Sequence, residues 1–177
     1  MNRQTTDALL LRKVERGDAD LVLTFFTEQL GTITAIAYSA RRSKKRFAVL
    51  EPFHTLRIEV DDAAKDMAVL REATVPMPRT AFLSSLDRMQ AASRALGWAR
   101  ATLPPHAPDA AVWSLLTAFL DMAASCEVAA LENELAAFGL NLLRVSGLCP
   151  PPSRVRQGMT ANAVIGVVES VVKDHGG

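Results

Sequence analysis

The sequence predicts an α+β protein: a small five-stranded β-barrel of the OB-fold kind, followed by an all-α helical domain. Three observations predict it. Short runs rich in β-branched and aromatic residues, some with period-two alternation, fill the chain to about residue 75. From Thr80 onward apolar residues recur at helical spacing instead. Between the two lies VPMPR (75–79), a proline-marked stretch where the pattern changes.

The elements follow in order. ALLLRKV (8–14) alternates weakly and stops at the turn signal Arg16-Gly17-Asp18. LVLTFFT (21–27) is a β-branched and aromatic run, and TITAIAY (32–38) follows so closely that Leu30-Gly31 is read as a tight hairpin. HTLRIEV (54–60) sets Leu56, Ile58 and Val60 on one face and Thr55, Arg57 and Glu59 on the other, a half-buried strand. Asp61-Asp62 turns the chain, and DMAVLREATV (66–75) supplies a fifth strand. Five short strands in this space fit an OB-fold, and an SH3-like barrel fits the spacing as well.

In the second part Thr80 is read as an N-cap before Phe82, Leu86, Met89 and Leu96. LPPHAP (103–108) breaks that helix. Asp109 can cap the next, with the stripe Val112, Leu115, Leu116, Phe119 and Ala123. A third helix carries Leu131, Leu135, Phe138, Leu142 and Val145 as core and stops at Gly147. After CPPPS, Thr160 opens a final apolar helix that ends before Gly176-Gly177. Trp98 and Trp113 are read as helix–helix packing. The domain boundaries expected are therefore 1–78 for the barrel and 79–177 for the helices.

Composition narrows the class. With 177 residues, 49% hydrophobic and 22% charged, the chain has the profile of a folded globular protein. Net charge is +1, so the molecule is no polycation, but residues 1–60 hold ten Lys/Arg against seven Asp/Glu. Attraction to a polyanion must come from a local patch. Two cysteines, Cys126 and Cys149, are too few for a disulfide scaffold. No signal-peptide core and no apolar run of about 20 residues is read, so a cytoplasmic protein without a membrane partner is expected.

That patch is AYSARRSKKRF (37–47), in which Arg41, Arg42, Lys44, Lys45 and Arg46 carry positive charge. Charge runs are usually solvated loops. Here no acidic residue between Glu28 and Glu51 offsets five cations in six positions, and binding a polyanion relieves their repulsion. OB-folds bind single strands through a groove and its adjoining loops, so nucleic-acid binding is the favoured reading. Tyr38 and Phe47 flank the run. Phe47 is read as core, whereas Tyr38 can stack a base because a tyrosine can leave one face wet. Phe25, Phe26 and Phe53 are expected inside the barrel.

ALLLRKVERGDADLVLTFFTEQLGTITAIAYSARRS with LEPFHTLRIEV, and later FGLNLLRVSGLCPPP (138–152), resembles the RecO family of bacterial recombination mediators over residues 8–152. The elements are Phe26-Thr27-x-x-x-Gly31, the basic segment after the third strand, Pro52-Phe53, and a helix similar to F-E-L-x-L-L running into Gly-Tyr-x-Pro. The resemblance implies an OB-fold with a helical domain. It implies a protein that binds single- and double-stranded DNA, anneals complements and assists RecA loading. It implies as partners RecR and the acidic C-terminal tail of single-stranded DNA-binding protein. Arg41 falls on the family's basic position, which Arg42, Lys44, Lys45 and Arg46 extend. Departures are Ser39 where glycine is common, Gly139 for Glu, Leu148 for Tyr, and Cys149 alone where many members carry a C-x-x-C zinc loop. The helical domain is thus expected to be shortened, with no intact zinc finger.

Other chemistry finds little support. Zinc needs four ligands, usually in close pairs, and neither cysteine has a close Cys or His partner, so no metal or other cofactor is expected. His54, His106 and His175 are scattered, and no phosphate-binding glycine loop is present. An enzyme is therefore not expected. Arg144, Arg154 and Arg156 are candidates for holding the carboxylates of a partner peptide, although exposed arginines usually just solvate a face. The reading is a DNA-binding mediator. The alternative is a protein–protein interaction scaffold whose barrel no longer handles DNA.

Overall fold

The computed structural model describes residues 2–43, 46–47 and 50–176. The chain forms two compact units, one of Met1–Pro78 with Pro104–Asp109, the other of Arg79–Leu103 with Ala110–Gly177. Residues 104–108 of the LPPHAP stretch, read above as a helix break inside 79–177, therefore pack with the barrel.

The first unit is a closed barrel of β1 (Arg3–Arg16), β2 (Asp20–Thr27), β3 (Gly31–Ala37), β4 (Thr55–Asp61) and β5 (Ala68–Met77), in the order β1-β2-β3-β5-β4. This is an OB-fold. β1 is long enough to serve two neighbours. Its first half pairs with β4, from Arg3 opposite Asp61 to Leu9 opposite Thr55, and its second half with β2. The β3–β5 seam is parallel and only two rungs long, Ala35 with Ala68 and Ile36 with Val69. Leu10, Leu23, Phe25, Ile33, Leu56, Ile58, Val60 and Leu70 fill the interior, as the period-two readings require. Phe26 is buried but lies outside that interior cluster, since adjacent strand residues point to opposite faces, and Phe53 is only half-buried.

At the start of β3, Pro105 bridges Thr32 and the His106 N–H donates to the Thr32 carbonyl at 2.9 Å. Gly31 sits beneath this crossing segment with φ +70°. A Cβ there would lie 2.4–2.6 Å from the Ala107 backbone, so only glycine fits.

The second unit has α1 (Leu86–Thr102), α2 (Ala110–Ser125), α3 (Leu131–Val145) and α4 (Ala161–His175). Thr80 is not the cap of α1. Residues Thr80–Ser84 form a 3₁₀ turn, the chain extends at Ser85, and the Ser85 hydroxyl accepts the Arg88 N–H. Serine three residues before a first-turn N–H, with Asp87 between, is the better N-terminus on physical grounds. Leu86 is consequently 64% exposed, and the buried face of α1 is carried by Ala91, Ala92, Ala95, Leu96, Trp98 and Ala99. Thr160 does cap α4, accepting the Ala163 N–H. α3 ends in a Schellman closure: Gly147 (φ +71°) donates to the Arg144 carbonyl and Leu148 to that of Leu143. Val145, expected in the core stripe, is 40% exposed in this last turn.

α3 packs against α1, α2 and α4. Phe138 lies between Trp98, with ring centroids 6.5 Å apart, and Phe119 at 4.6 Å. Close packing accounts for Gly139, where the resemblance expects Glu. A Cβ there would sit 2.9 Å from the Trp98 ring and from Val168, so the helices approach too closely for a larger residue. Arg88 closes the other end of α2 by donating to the Ala123 and Cys126 carbonyls.

Candidate nucleic-acid interface

The basic run leaves β3 through a tight turn whose backbone is fixed on every side. Ser39 adopts φ +56°, a left-handed conformation that costs a non-glycine residue about 1–2 kcal/mol. The resemblance expects glycine at this position, and the backbone gives the reason. The Ser39 N–H donates to the Asp20 carboxylate at 2.8 Å, and the Arg41 N–H to the Ala19 carbonyl at 3.1 Å. The N–H groups of Arg42 and Ser43 both return to the Ser39 carbonyl. Ala40 is buried in the barrel core beneath. The turn is thus pinned to the β1–β2 connection, and its side chains project from a rigid base.

Arg41 is half-exposed and pairs with Glu15 at 3.2 Å, whose own side chain is 68% exposed. The expectation that no carboxylate offsets the run is corrected here. None lies near in sequence, but β1 register places Glu15 opposite Leu21, and Leu21 is opposite Ala37. An ion pair this exposed stabilises by about 0–1 kcal/mol, so a phosphate can displace it. Arg42 is exposed. The Arg46 guanidinium donates to the Tyr38 carbonyl at 3.4 Å and lies 5.3 Å from the Phe47 ring centroid. Phe47 is core: its ring is buried, and the Arg46 carbonyl beside it accepts the Ala73 N–H. Tyr38 is 51% exposed. Lys44 and Lys45 lie outside the described residues. The far end of the segment is tied down by Lys13, whose Nζ donates to the Leu50 carbonyl at 3.0 Å and approaches Glu51 at 3.5 Å.

Glu15, Asp20 and Lys13, which position this segment, were not singled out in the sequence. Their partners are 19 to 38 residues away. Only the barrel register brings them together, and no local pattern signals it.

A second set of cations has the opposite character. Asp61, buried at the end of β4, accepts from Arg3 Nε at 3.0 Å on one oxygen and from Arg71 Nε at 2.7 Å on the other. Arg3 also meets Glu59 at 3.2 Å. The hydrogen bond from Arg3, then that from Arg71, holds the Asp61 carboxyl below the usual carboxylate range. Asp62, at φ +55° in the turn that follows, is held low by Lys65 and by the Asn2 N–H. These arginines are committed to the barrel wall.

Of the candidate partner-binding residues, Arg144 ends α3 and donates to Asn141 at 2.9 Å. Arg154 and Arg156 are exposed in the connection to α4. Among the described residues no hydrogen bond or ion pair joins the three. Cys126 is half-buried and Cys149 exposed. Among the described residues no group of three or more His, Cys, Asp or Glu could hold a metal ion, and no helix is long and apolar enough to cross a membrane.

Residues 1–78 match the family model described as Recombination protein O N terminal. The chain is 35% identical over 154 residues to a DNA repair protein RecO of Anaeromyxobacter dehalogenans, covering 85% of this chain and 59% of that one. The protein of the same name in Myxococcus xanthus is 32% identical over 151 residues, covering 85% and 61%. That of Syntrophus aciditrophicus is 31% identical over 147 residues, covering 82% and 56%. The chain thus spans about three-fifths of the length of these curated relatives.

Proposed function

The chain belongs to the RecO family, and from that premise we propose that it serves recombinational DNA repair as a non-enzymatic DNA-binding mediator in the cytoplasm, at the nucleoid. The barrel binds single- and double-stranded DNA through the turn after β3. Arg41, Arg42 and Arg46, with Lys44 and Lys45, hold phosphates, and Tyr38 stacks an unpaired base. By neutralising phosphates on two strands at once, the bound protein promotes annealing of complements and assists RecA loading. RecR and the acidic tail of single-stranded DNA-binding protein are the partners, with Arg144, Arg154 and Arg156 as the helical unit's candidate contacts.

One observation carries the DNA-binding part. The turn's backbone is fixed by four N–H donors, while Arg41 and Arg42 end at the surface, Arg41 beside the exposed Glu15 carboxylate. Cations held on a rigid base lose little freedom on meeting a phosphate, and the neighbouring Tyr38 offers a wet aromatic face. Such contacts position a backbone and carry no sequence information.

Titration of labelled oligo-dT and of a duplex at several salt concentrations tests this. For the single strand, log K is expected to fall with log salt by about 0.7 per neutralised phosphate, near −3 for about four contacts. A flat response would remove the proposal.

A further inference from the structure

The β1–β2 ladder contains one extra residue. Up to Leu10 opposite Phe25 the register is constant; from Arg12 opposite Thr24 it is shifted by one, and Leu11 is left over. A bulge of this kind changes which face each later side chain occupies. Before it, the even-numbered Ala8 and Leu10 belong to the barrel interior. After it, the odd-numbered Lys13 and Glu15 stand opposite the interior residues Leu23 and Leu21, and the even-numbered Arg12, Val14 and Arg16 turn outward. All three are exposed, Val14 to 40%. An uninterrupted strand would put both guanidinium groups on the face that Lys13 and Glu15 occupy instead, where these two meet the Leu50 carbonyl and Arg41.

The surface beside them completes a face. Arg12, Thr24 and Thr34 lie on one rung across β1, β2 and β3, and Val14 and Val22 on the next, whose β3 member Ile36 is buried. Arg16 stands opposite Asp20, whose carboxylate is engaged by the Ser39 N–H, and its Nη1 lies 3.8 Å from Met67 Sδ in the β4–β5 connection. Asp18 is the other acid of this turn, and Lys65 of the β4–β5 connection is paired with Asp62. Arg16 ends β1 at the same turn to which the Arg41 backbone is tied through Ala19.

We propose that the Leu11 bulge creates a second phosphate-binding track, Arg12–Val14–Arg16, which takes the backbone of a single DNA strand and leads it toward the basic turn. This rests on the DNA-binding reading above and extends it to residues on the strand itself. Two positions four apart on a strand are separated by roughly 13 Å at about 3.3 Å per residue. That spans about four phosphates of a stacked strand at roughly 3.4 Å each, and fewer of an extended one. Val14 between the two cations gives the sugars an apolar floor, and the half-buried Thr24 and Thr34 offer hydroxyls alongside. A single strand can lie along such a β-face, as on the second and third strands of an OB-fold. A rigid duplex meets it at fewer points.

The test uses the full chain in four forms: unaltered, Arg12→Ala with Arg16→Ala, Arg12→Lys with Arg16→Lys, and Arg41→Ala with Arg42→Ala. Each is titrated with labelled oligo-dT at several salt concentrations. The strand variant is expected to bind about tenfold or more weakly at low salt and to lose about 1.4 from the salt slope, two contacts at about 0.7 each. The paired lysine variant, Arg12→Lys with Arg16→Lys, is expected to keep the slope. If the unaltered chain binds with a salt-dependent slope that the turn variant lowers and the strand variant leaves unchanged, the track is refuted and the basic turn stands. If the unaltered chain shows no salt-dependent binding, both fall together.

Discussion

The barrel and the helical unit close their cores by different means. In the barrel the tightest approach is backbone on backbone: Gly31 lies under the Ala107 peptide, and the crossing segment is held to Thr32 by a main-chain hydrogen bond. In the helical unit it is backbone on side chain: Gly139 of α3 meets the Trp98 ring and the Val168 methyls. Peptide groups locked in a ladder cannot step aside, whereas a ring and an isopropyl group can turn slightly. Close packing therefore tolerates substitution unequally in the two units. The charge distribution follows the same division. The barrel's arginines sit on strand faces and a turn whose geometry is set by main-chain bonds; Asp61 engages Arg3 and Arg71, Asp7 engages Arg57, and Arg41 meets the exposed Glu15.

The largest expected effect is at Gly31. Alanine there adds the strain of a left-handed non-glycine residue to a backbone overlap, and is expected to destabilise the barrel by about 3 kcal/mol or more. Hydrogen exchange of the full chain should show this as early opening of β2 and β3 amides. Near-native protection would mean that the crossing segment simply lifts away. At Gly139 the neighbours can give, so alanine is expected to cost about 1–3 kcal/mol, read in the α3 amides. Equal losses at the two glycines would dissolve the distinction between backbone and side-chain closure.

Much of this was legible in the sequence. All five strands and the caps at Thr160 and Gly147 follow from period, turn residues and cap chemistry. The misses have a common cause. Leu11 as a bulge, the Lys13 and Glu15 contacts to the basic segment, and the return of residues 104–109 to the barrel all depend on pairing between distant parts of the chain. Thr80 reads as the cap because apolar spacing begins at Phe82, yet that residue belongs to the 3₁₀ turn, and Ser85 caps α1. In the site, the cationic residues could be read directly, because five charges in six positions need no register to be noticed. Which of them are exposed, and what anchors their backbone, could not.

Acid should separate the units next. The Asp61 carboxyl is held low by Arg3 and Arg71, and that of Asp62 by Lys65 and the Asn2 N–H. A group whose folded pKa lies below its unfolded value, about 3.9 for aspartate, contributes stability that is complete above the unfolded value. That contribution disappears as pH falls through the lowered folded value. Both residues are in the barrel, so acidification below about pH 4 is expected to open barrel amides before those of α3. Asp61→Asn should flatten that response at a lower starting stability. A barrel that lost protection no earlier than the helices would place the acid-sensitive contacts elsewhere.

The smallest expected effect on stability is the most telling for function. Arg41, Arg42 and Arg46 contribute exposed side chains to a turn whose shape is set by the Ser39 and Arg41 N–H groups and by buried Ala40 and Phe47. Replacing the three by alanine leaves every one of those main-chain bonds in place. The loss is confined to the exposed Glu15 pair, a long contact to the Tyr38 carbonyl and the stacking of Arg46 on Phe47. The triple variant is expected to unfold within about 1.5 kcal/mol of the unaltered chain, since surface substitutions of this sort are usually within about 0.5 kcal/mol each. Oligonucleotide affinity at low salt should fall at least tenfold in the same preparation. Loss of folding in parallel with loss of binding would show that the turn needs its guanidinium groups for its shape. The barrel would then depend on charge as much as on its ladders.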